Sequence, residues 1–228
     1  MEKNVEEKRT DNISFISKSE EFIEKNKNLL IGIAIAIVVV VLAIFGAKKL
    51  IFEPREQKAN EAIFVAEQFL AQGDFKSALY GDSTSTDRYG VGLLQVIDKY
   101  GSTKAGKHAK YEAAICFLRL GDYEQALKYA GKYNGKDQLT PVINEMIKGD
   151  AEVEKGNNDA AIKHYNKAAK MDDNPITAPF ALFKAGIVYL MNGDNNKALD
   201  CFQNVKDNYP SSTLSSEMDA FIAYAQAL

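Results

Sequence analysis

One short glycine-centred phrase occurs four times along this chain. In each copy the glycine is followed by Asp or Asn, and an alanine stands five residues after the glycine. The four pairs are Gly73 and Ala78, Gly121 and Ala126, Gly156 and Ala161, and Gly193 and Ala198. Successive glycines are 48, 35 and 37 residues apart. Because such a period with helical patterning is typical of stacked helix pairs, the repeat predicts an all-α solenoid of antiparallel hairpins.

Each phrase is interpreted as the tight turn within one hairpin. Glycine just past a helix end tolerates left-handed backbone geometry, and the Asp or Asn that follows it can cap the next helix. The small alanine then lets the second helix lie close against the first, where a large residue would splay the pair. These eight residues are therefore predicted to have a structural role.

Apolar residues recur at helical spacing on both sides of every turn. From Ala59 to Gln72 they give one face to bury, and Pro54 can sit in the first turn of this helix. An extra helix from Tyr89 to Tyr100 explains the longer first spacing, and Leu214 to Leu228 should close the open end of the stack. The repeat domain is predicted to cover residues 59–228, with further hairpins at 108–133, 142–170 and 180–210.

The nineteen residues from Leu29 to Ala47 carry no charge and no strong hydrogen-bonding side chain. As a helix they would cover roughly 28 Å, close to the roughly 30 Å hydrocarbon core of a bilayer. A cleaved signal peptide fits less well, because the apolar run exceeds its usual length and 28 residues precede it. We therefore expect a single transmembrane helix at residues 29–47, in contact with lipid, and a juxtamembrane connector at residues 48–58.

Residues 1–28 form the predicted N-terminal tail. Ile13, Ile16, Phe22 and Ile23 have spacings that fit a short amphipathic helix, and a solvated tail fits them equally. Four basic residues stand within the twenty residues on either side of the apolar run, so flanking charge does not predict the orientation of the chain in a membrane.

Composition and cysteine usage exclude several classes of protein. The net charge of −3 and the pI of about 5.6 leave no basic excess for binding nucleic acid. With 46% hydrophobic and 26% charged residues, the chain is expected to be folded. Cys116 and Cys201 lack the C-x-x-C spacing of redox or zinc sites, so buried free thiols are favoured over a disulfide.

Two short motifs imitate ligand sites. The run Gly101–Lys107 imitates a phosphate-binding loop, but His108 stands where Ser or Thr is needed, and the loop joins two helices. The run Asp82–Asp87 offers oxygens at alternate positions, but Leu93 stands where a calcium loop needs Glu. His108 and His164 have no partner at metal-ligand spacing. We therefore expect no enzyme activity, no nucleotide, no cofactor and no bound metal.

The first helices of the hairpins are predicted to line the concave side of the stack. Their apolar residues recur three, four or seven residues apart, which fits either core packing or an exposed groove. Exposed Met and Phe side chains would adapt to varied apolar segments of other proteins. The candidate groove residues are Tyr111, Ile115, Met146, Phe180, Phe183, Ile187 and Met191, with Leu118, Ile143 and Val153 in the same stripes.

The last hairpin carries residues at distinctive spacings, namely Leu182, Gly186, Tyr189, Gly193, Ala198, Phe202 and Pro210. In this pattern the hairpin resembles a tetratricopeptide repeat. The resemblance is good around Gly121, partial around Gly156 and weakest around Gly73. It implies a module for protein–protein interaction.

The layout of tail, anchor and repeat domain, together with the run Tyr100–Gly106 leading into Ala109–Tyr111, is similar to the YfgM-like family of inner-membrane proteins associated with the Sec translocon. This resemblance implies a cytoplasmic N-terminus and a periplasmic repeat domain. It also implies a chaperone role as holdase or adaptor, with exported clients, translocon components or envelope proteins as partners. The alternative function is a scaffold that clusters inner-membrane complexes.

Overall fold

The computed structural model describes residues 22–82, 90–171 and 173–228. All regular elements in these ranges are helical and no strand occurs among them, which confirms the predicted all-α class for this part of the chain. The chain forms two compact units, Met1–Pro54 and Arg55–Leu228. Most of the predicted N-terminal tail and most of the Asp82–Asp87 loop lie outside the described residues.

The first unit is built on helix α1, Lys27–Ala47, which is followed by a π-helical turn, Lys48–Phe52. No residue of α1 is buried, and large apolar side chains such as Leu42 are as much as 65% exposed. The helix that begins at Lys27 is the one helix in the described ranges that is long and apolar enough to cross a membrane by length and composition. Its surface is apolar all round and offers no polar face to water.

The second unit is a succession of helices that pack against their neighbours in the chain. The helices are α2 Glu53–Ala71, α3 Phe75–Tyr80, α4 Leu93–Tyr100, α5 Lys104–Arg119, α6 Tyr123–Lys132, α7 Thr140–Glu154, α8 Asn158–Met171, α9 Ala178–Met191, α10 Asn195–Asn208 and α11 Met218–Ala227, with a 3-10 turn at Ser215–Glu217. The first glycine turn joins α2 to α3. The other three turns join α5 to α6, α7 to α8 and α9 to α10, which are the second, third and fourth hairpins, and each of these also contacts the next.

The four glycine phrases form the same turn. Gly73, Gly121, Gly156 and Gly193 have φ angles of +74° to +81°, a region that favours glycine. In every turn the N–H of the next residue donates to the carbonyl five positions back at 2.8–2.9 Å, the hydrogen bond of a Schellman helix end. In the first two turns the Asp carboxylate then accepts from the N–H three residues on, at 3.0 and 3.1 Å. The alanines of the phrase, Ala78, Ala126, Ala161 and Ala198, are fully buried.

Two further glycines determine how closely the helices of a hairpin approach. A Cβ added to Gly149 would lie 2.5 Å from the Tyr165 ring, and one added to Gly186 would lie 2.5 Å from the Phe202 ring. The ring on the second helix therefore lies directly against the backbone of the first. Because both pairs are separated by the same number of residues, the hairpins α7–α8 and α9–α10 share one packing arrangement.

An aromatic cluster lies at the C-terminal end of the stack. The rings of Phe183 and Phe221 have centroids 4.9 Å apart, and each packs against the fully buried Phe202 at 6.0 and 5.4 Å. Met218 is fully buried in the same cluster. Helix α11 therefore covers the last hairpin with its apolar face, the arrangement that a terminal segment of a repeat stack requires.

The extra helix between the first two hairpins begins later than predicted. Helix α4 starts at Leu93 instead of Tyr89, which itself lies outside the described residues. The residue before it, Gly92, is extended, with φ −93° and ψ 169°. A Cβ at Gly92 would lie 2.4 Å from backbone atoms of Gly81 and Leu79. Because two segments of backbone touch here, the chain passes through Gly92 extended and turns helical only afterwards.

The start of α2 is held by two adjacent charged residues. The Arg55 guanidinium donates to the carbonyl oxygen of Lys99 at 2.7 Å, in the last turn of α4. The Glu56 carboxylate accepts from the backbone N–H groups of Lys104 and Ala105 at 2.9 and 3.0 Å, at the N-terminus of α5. A cation at a helix C-terminus and an anion at a helix N-terminus both complement the helix dipole. The pair therefore fixes α2 to two helix ends at once.

A buried carboxylate joins α7 to α8. Glu145 is 4% exposed and accepts from Lys148 Nζ at 2.7 Å and Lys167 Nζ at 3.1 Å, with His164 Nδ1 at 2.9 Å. Burial alone would raise the pKa of this carboxyl, but the hydrogen bonds from the three basic side chains outweigh burial and lower the pKa to about 2. The ionised form of Glu145 is therefore part of the folded structure.

We expect Gly193→Ala to lower the melting temperature of the full chain by about 2–4 °C. The added methyl group meets no neighbour, so the cost, about 1 kcal/mol, is that of left-handed backbone. The matched control is Gly131→Ala, which also meets no neighbour but lies within α6, where alanine favours the helix and raises the melting temperature. Circular dichroism at 222 nm measures both, and a shift of the two variants in the same direction would contradict the prediction.

The Glu145 cluster predicts a loss of stability in acid. Because the folded pKa of about 2 lies below the ordinary 4.5, this contribution is complete above about pH 4.5 and is lost as the pH falls towards 2. Glu145→Gln should lower the free energy of unfolding at pH 7 by up to about 3 kcal/mol and flatten its fall below pH 4.5. Urea denaturation measures this. Glu124→Gln, which alters an 86% exposed carboxylate, is the control and should change neither quantity.

Candidate protein-binding groove

A groove of about 570 Å³ runs between the first helices of the second, third and fourth hairpins. Helix α5 contacts α7 directly, and α9 packs against α8 of the preceding hairpin, so residues of all three first helices line one groove. Helices α6 and α8 add one residue each. The lining residues are Leu118, Arg119, Tyr123, Asp150, Val153, Glu154, Tyr165, Phe183, Lys184, Ile187, Val188 and Met191.

The groove has an apolar floor. Phe183, Ile187 and Met191 recur every four residues along α9 and so lie on one face of the helix. Leu118 of α5 and Val153 of α7 complete the floor from the other hairpins. Met191 is 59% exposed, whereas the other four side chains are half-buried. The end of the row at Met191 is therefore the part most open to a ligand.

Polar side chains form the walls of the groove. Asp150 Oδ1 accepts from the Tyr165 hydroxyl at 2.6 Å and from Lys184 Nζ at 2.7 Å. Burial, together with the neighbouring Asp150 carboxylate, raises the pKa of the Tyr165 hydroxyl, which keeps it as a donor. Arg119 is exposed and forms no hydrogen bond or ion pair within the described residues. One wall is thus internally paired, and Arg119 is available to an acidic group of a ligand.

The structure divides the predicted groove residues into three groups. Phe183, Ile187 and Met191 line the groove, and so do Leu118 and Val153 of the predicted stripes. Phe180 is 40% exposed but lies outside the lining. The prediction is wrong for Met146, which is buried in the core with Val142, because its side of α7 faces α8.

The two remaining candidates, Tyr111 and Ile115, lie outside the groove lining. Ile115 is half-buried and packs against the core of the second hairpin, which contains Ala130. The Tyr111 ring has its centroid 5.4 Å from that of His108 and 6.0 Å from that of Tyr133. Both residues share the side of α5 that carries Arg119, but they lie one and two turns before it, outside the groove lining. The polar wall residues Asp150, Lys184 and Arg119 gave no pattern in the sequence that could have identified them.

The N-terminus of α5 is already occupied by groups of the chain itself. The Glu56 carboxylate takes the N–H groups of Lys104 and Ala105, and the Thr103 hydroxyl accepts from the N–H of Gly106 at 3.0 Å. A phosphate at a helix N-terminus needs these donors free. The run Gly101–Lys107 is therefore built as a helix cap held by a carboxylate.

Both cysteines are free, and each is buried. Burial raises the pKa of the Cys116 thiol to about 12 and that of the Cys201 thiol to about 11, so both remain protonated at neutral pH.

The two histidines do have carboxylate neighbours, which corrects the prediction made from their spacing in the sequence. His164 contacts Glu145 at 2.9 Å, and His108 contacts Glu112 at 3.5 Å.

Comparison with known proteins supports the repeat architecture. Residues 180–212 match a family model of the tetratricopeptide repeat, and residues 146–175 match a second model of the same repeat. The first segment contains the Gly186–Phe202 contact, and the second contains the Gly149–Tyr165 contact.

A curated relative shows the same kind of repeat. A TPR repeat-containing protein of Methanocaldococcus jannaschii is 29% identical over 125 residues, which make up 55% of this chain. The aligned part spans about a fifth of that relative, 21% of its length. Together with the all-helical fold, this similarity leads to one conclusion: residues 146–175 and 180–212 are similar to tetratricopeptide repeats, which are typical of protein–protein interaction modules.

Proposed function

We propose that the chain is a membrane-anchored module whose groove binds apolar segments of other proteins. The observation that carries this proposal is the row Phe183, Ile187 and Met191, which faces the groove with Met191 59% exposed. An apolar surface of this kind is typical of a site that a partner covers. The tetratricopeptide repeats favour a protein as that partner.

The chemistry of the groove indicates what kind of segment it takes. A volume of about 570 Å³ accommodates several side chains but no folded domain. Side chains spaced along a helix or an extended peptide could fill the apolar floor, and the flexible Met191 would adapt to their shapes. Arg119 would pair with an acidic residue next to these anchors. We therefore expect unfolded or amphipathic segments with an acidic flank.

We further propose that α1 anchors the chain in a bacterial inner membrane through Leu29–Ala47, with the N-terminus in the cytoplasm and the repeat unit in the periplasm. The exposed apolar surface of α1 and the similarity in layout to the YfgM-like family support this location. The partners would then be exported or envelope proteins near the Sec translocon, for which the module acts as a holdase or adaptor. Binding of this kind needs no catalysis, nucleotide or nucleic acid.

Met191→Asp should weaken the capture of an unfolded client about tenfold or more. Burial of a methionine side chain contributes about 1.5–3 kcal/mol, and Met191 belongs to no core cluster, so the fold is left intact. The matched control is Phe180→Asp on the same helix, which is exposed but outside the groove and should bind normally. Phe183 is unsuitable, because its ring packs against Phe202 and Phe221.

The measurement is fluorescence anisotropy of a labelled, reduced and carboxymethylated protein titrated with the full chain in detergent. Equal affinity of Met191→Asp and wild type would contradict the groove. Loss of affinity in Phe180→Asp alone would place the site elsewhere. If crosslinking in membranes captures one stoichiometric membrane protein and no unfolded client binds, the scaffold function replaces the holdase.

The orientation of the chain can be tested with an engineered thiol. Gln203 is exposed on α10, whereas both native thiols are buried and protonated. We expect Gln203→Cys to react with a membrane-impermeant maleimide in intact cells, and wild type to remain unlabelled. Labelling of Gln203→Cys only after lysis would overturn the periplasmic location.

A further inference from the structure

A second cleft, of about 740 Å³, shares no lining residue with the groove. Its walls come from α2, from the N-terminal part of α5 and from the connection between α6 and α7. Two of its lining residues, Glu67 and His108, lie next to Glu112. The three residues offer ligand atoms that all lie within 4.8 Å of one another.

This arrangement follows from the packing of two helices. His108 and Glu112 are one turn apart on α5 and share a face, with Nε2 and Oε1 3.5 Å apart. Helix α2 buries Ile63 in the same core as Ala109 of α5. Glu67 stands one turn after Ile63, and this packing brings it to His108. The sequence offers no sign of the arrangement, because its third member comes from a different helix.

Glu112 is a buried carboxylate without a full set of partners. It is 6% exposed, and its Oε2 has no hydrogen-bond partner among the described residues. Leaving such a group unpaired is costly, and an unmatched buried carboxylate calls for a cation. Glu145 shows the contrast, because it is equally buried but accepts from two lysines and contacts a histidine. Glu112 has only the longer contact to His108 and a second carboxylate nearby.

The cluster holds two carboxylates and one imidazole. Lys104 and Lys107 line the same cleft but form no ion pair with either glutamate in the described ranges. The described residues therefore supply no lysine or arginine to complete the cluster.

We propose that Glu67, His108 and Glu112 bind one divalent transition-metal ion of the Zn²⁺ type. One imidazole and two carboxylates suit such ions. The 3.5 Å between Nε2 and Oε1 is close to the roughly 3.4 Å ligand–ligand edge of a tetrahedral site with bonds of about 2.1 Å. Glu67 is half-buried, and its ligand atom lies within 4.8 Å of the other two, so rotation of its side chain can bring it to the ion. Three protein ligands leave a fourth position of a tetrahedral site for water or a ligand.

The test uses the full, untagged chain in detergent, with Zn²⁺ and Co²⁺ alone as probes. We expect one Zn²⁺ per chain by titration calorimetry and a visible Co²⁺ absorption band typical of four-coordination. Zn²⁺ at about 100 times its Kd should raise the melting temperature by about 5–10 °C. Glu67→Gln and Glu112→Gln should each weaken binding by more than about 100-fold, because even the loss of an outer partner of a ligand costs 10- to 100-fold.

The matched control is His164→Gln, which removes the other histidine, whose Glu145 partner already has two lysines. This variant should bind Zn²⁺ as wild type does. Because Glu112 is buried, Glu112→Gln could lose Zn²⁺ through a folding defect. Glu67→Gln alters a half-buried residue and therefore tests the site without that ambiguity. Absence of Zn²⁺ binding by wild type, unchanged binding by Glu67→Gln, or loss of binding in His164→Gln would each overturn the proposal.

Discussion

The left-handed glycine turn followed by a buried alanine is the constraint on which the second unit depends. Gly121 ends one helix with a positive φ angle, and Ala126 lets the next helix return along it without separation. Because the same turn occurs at four places, the unit is a stack of helices that contact mainly their neighbours in the chain. Each hairpin lacks a complete core of its own, so its stability comes from neighbours on both sides.

The close approach of the paired helices also positions the groove. Because Tyr165 lies against the backbone at Gly149, its hydroxyl reaches Asp150, the next residue of α7, and Asp150 also binds Lys184 of the next hairpin. The groove wall is therefore set by the same contact that packs the core. Because this wall depends on a core contact, the apolar residues of the groove floor can change while the wall keeps its position.

Local patterns in the sequence predicted the hairpins, the turns and the apolar α1, because each depends on residues a few positions apart. They failed where distant segments meet. Helix α4 begins late because Gly92 touches backbone near Gly81, and Met146 is buried because of how α7 is rotated against α8. Periodicity identifies an apolar stripe but not which edge of it a neighbour covers. For the same reason, the cluster of Glu67, His108 and Glu112 could be identified only from the folded structure.

The adjacent Arg55 and Glu56 define how α2 is rotated about its axis. They are the first residues of the second unit, and they bind two different helix ends through charge-assisted hydrogen bonds. Hydrogen bonds weaken steeply when their distance or angle changes, whereas apolar contacts have no preferred direction. The two bonds therefore specify one rotation of α2, which the apolar packing of Ile63 and Ala66 alone would leave less defined.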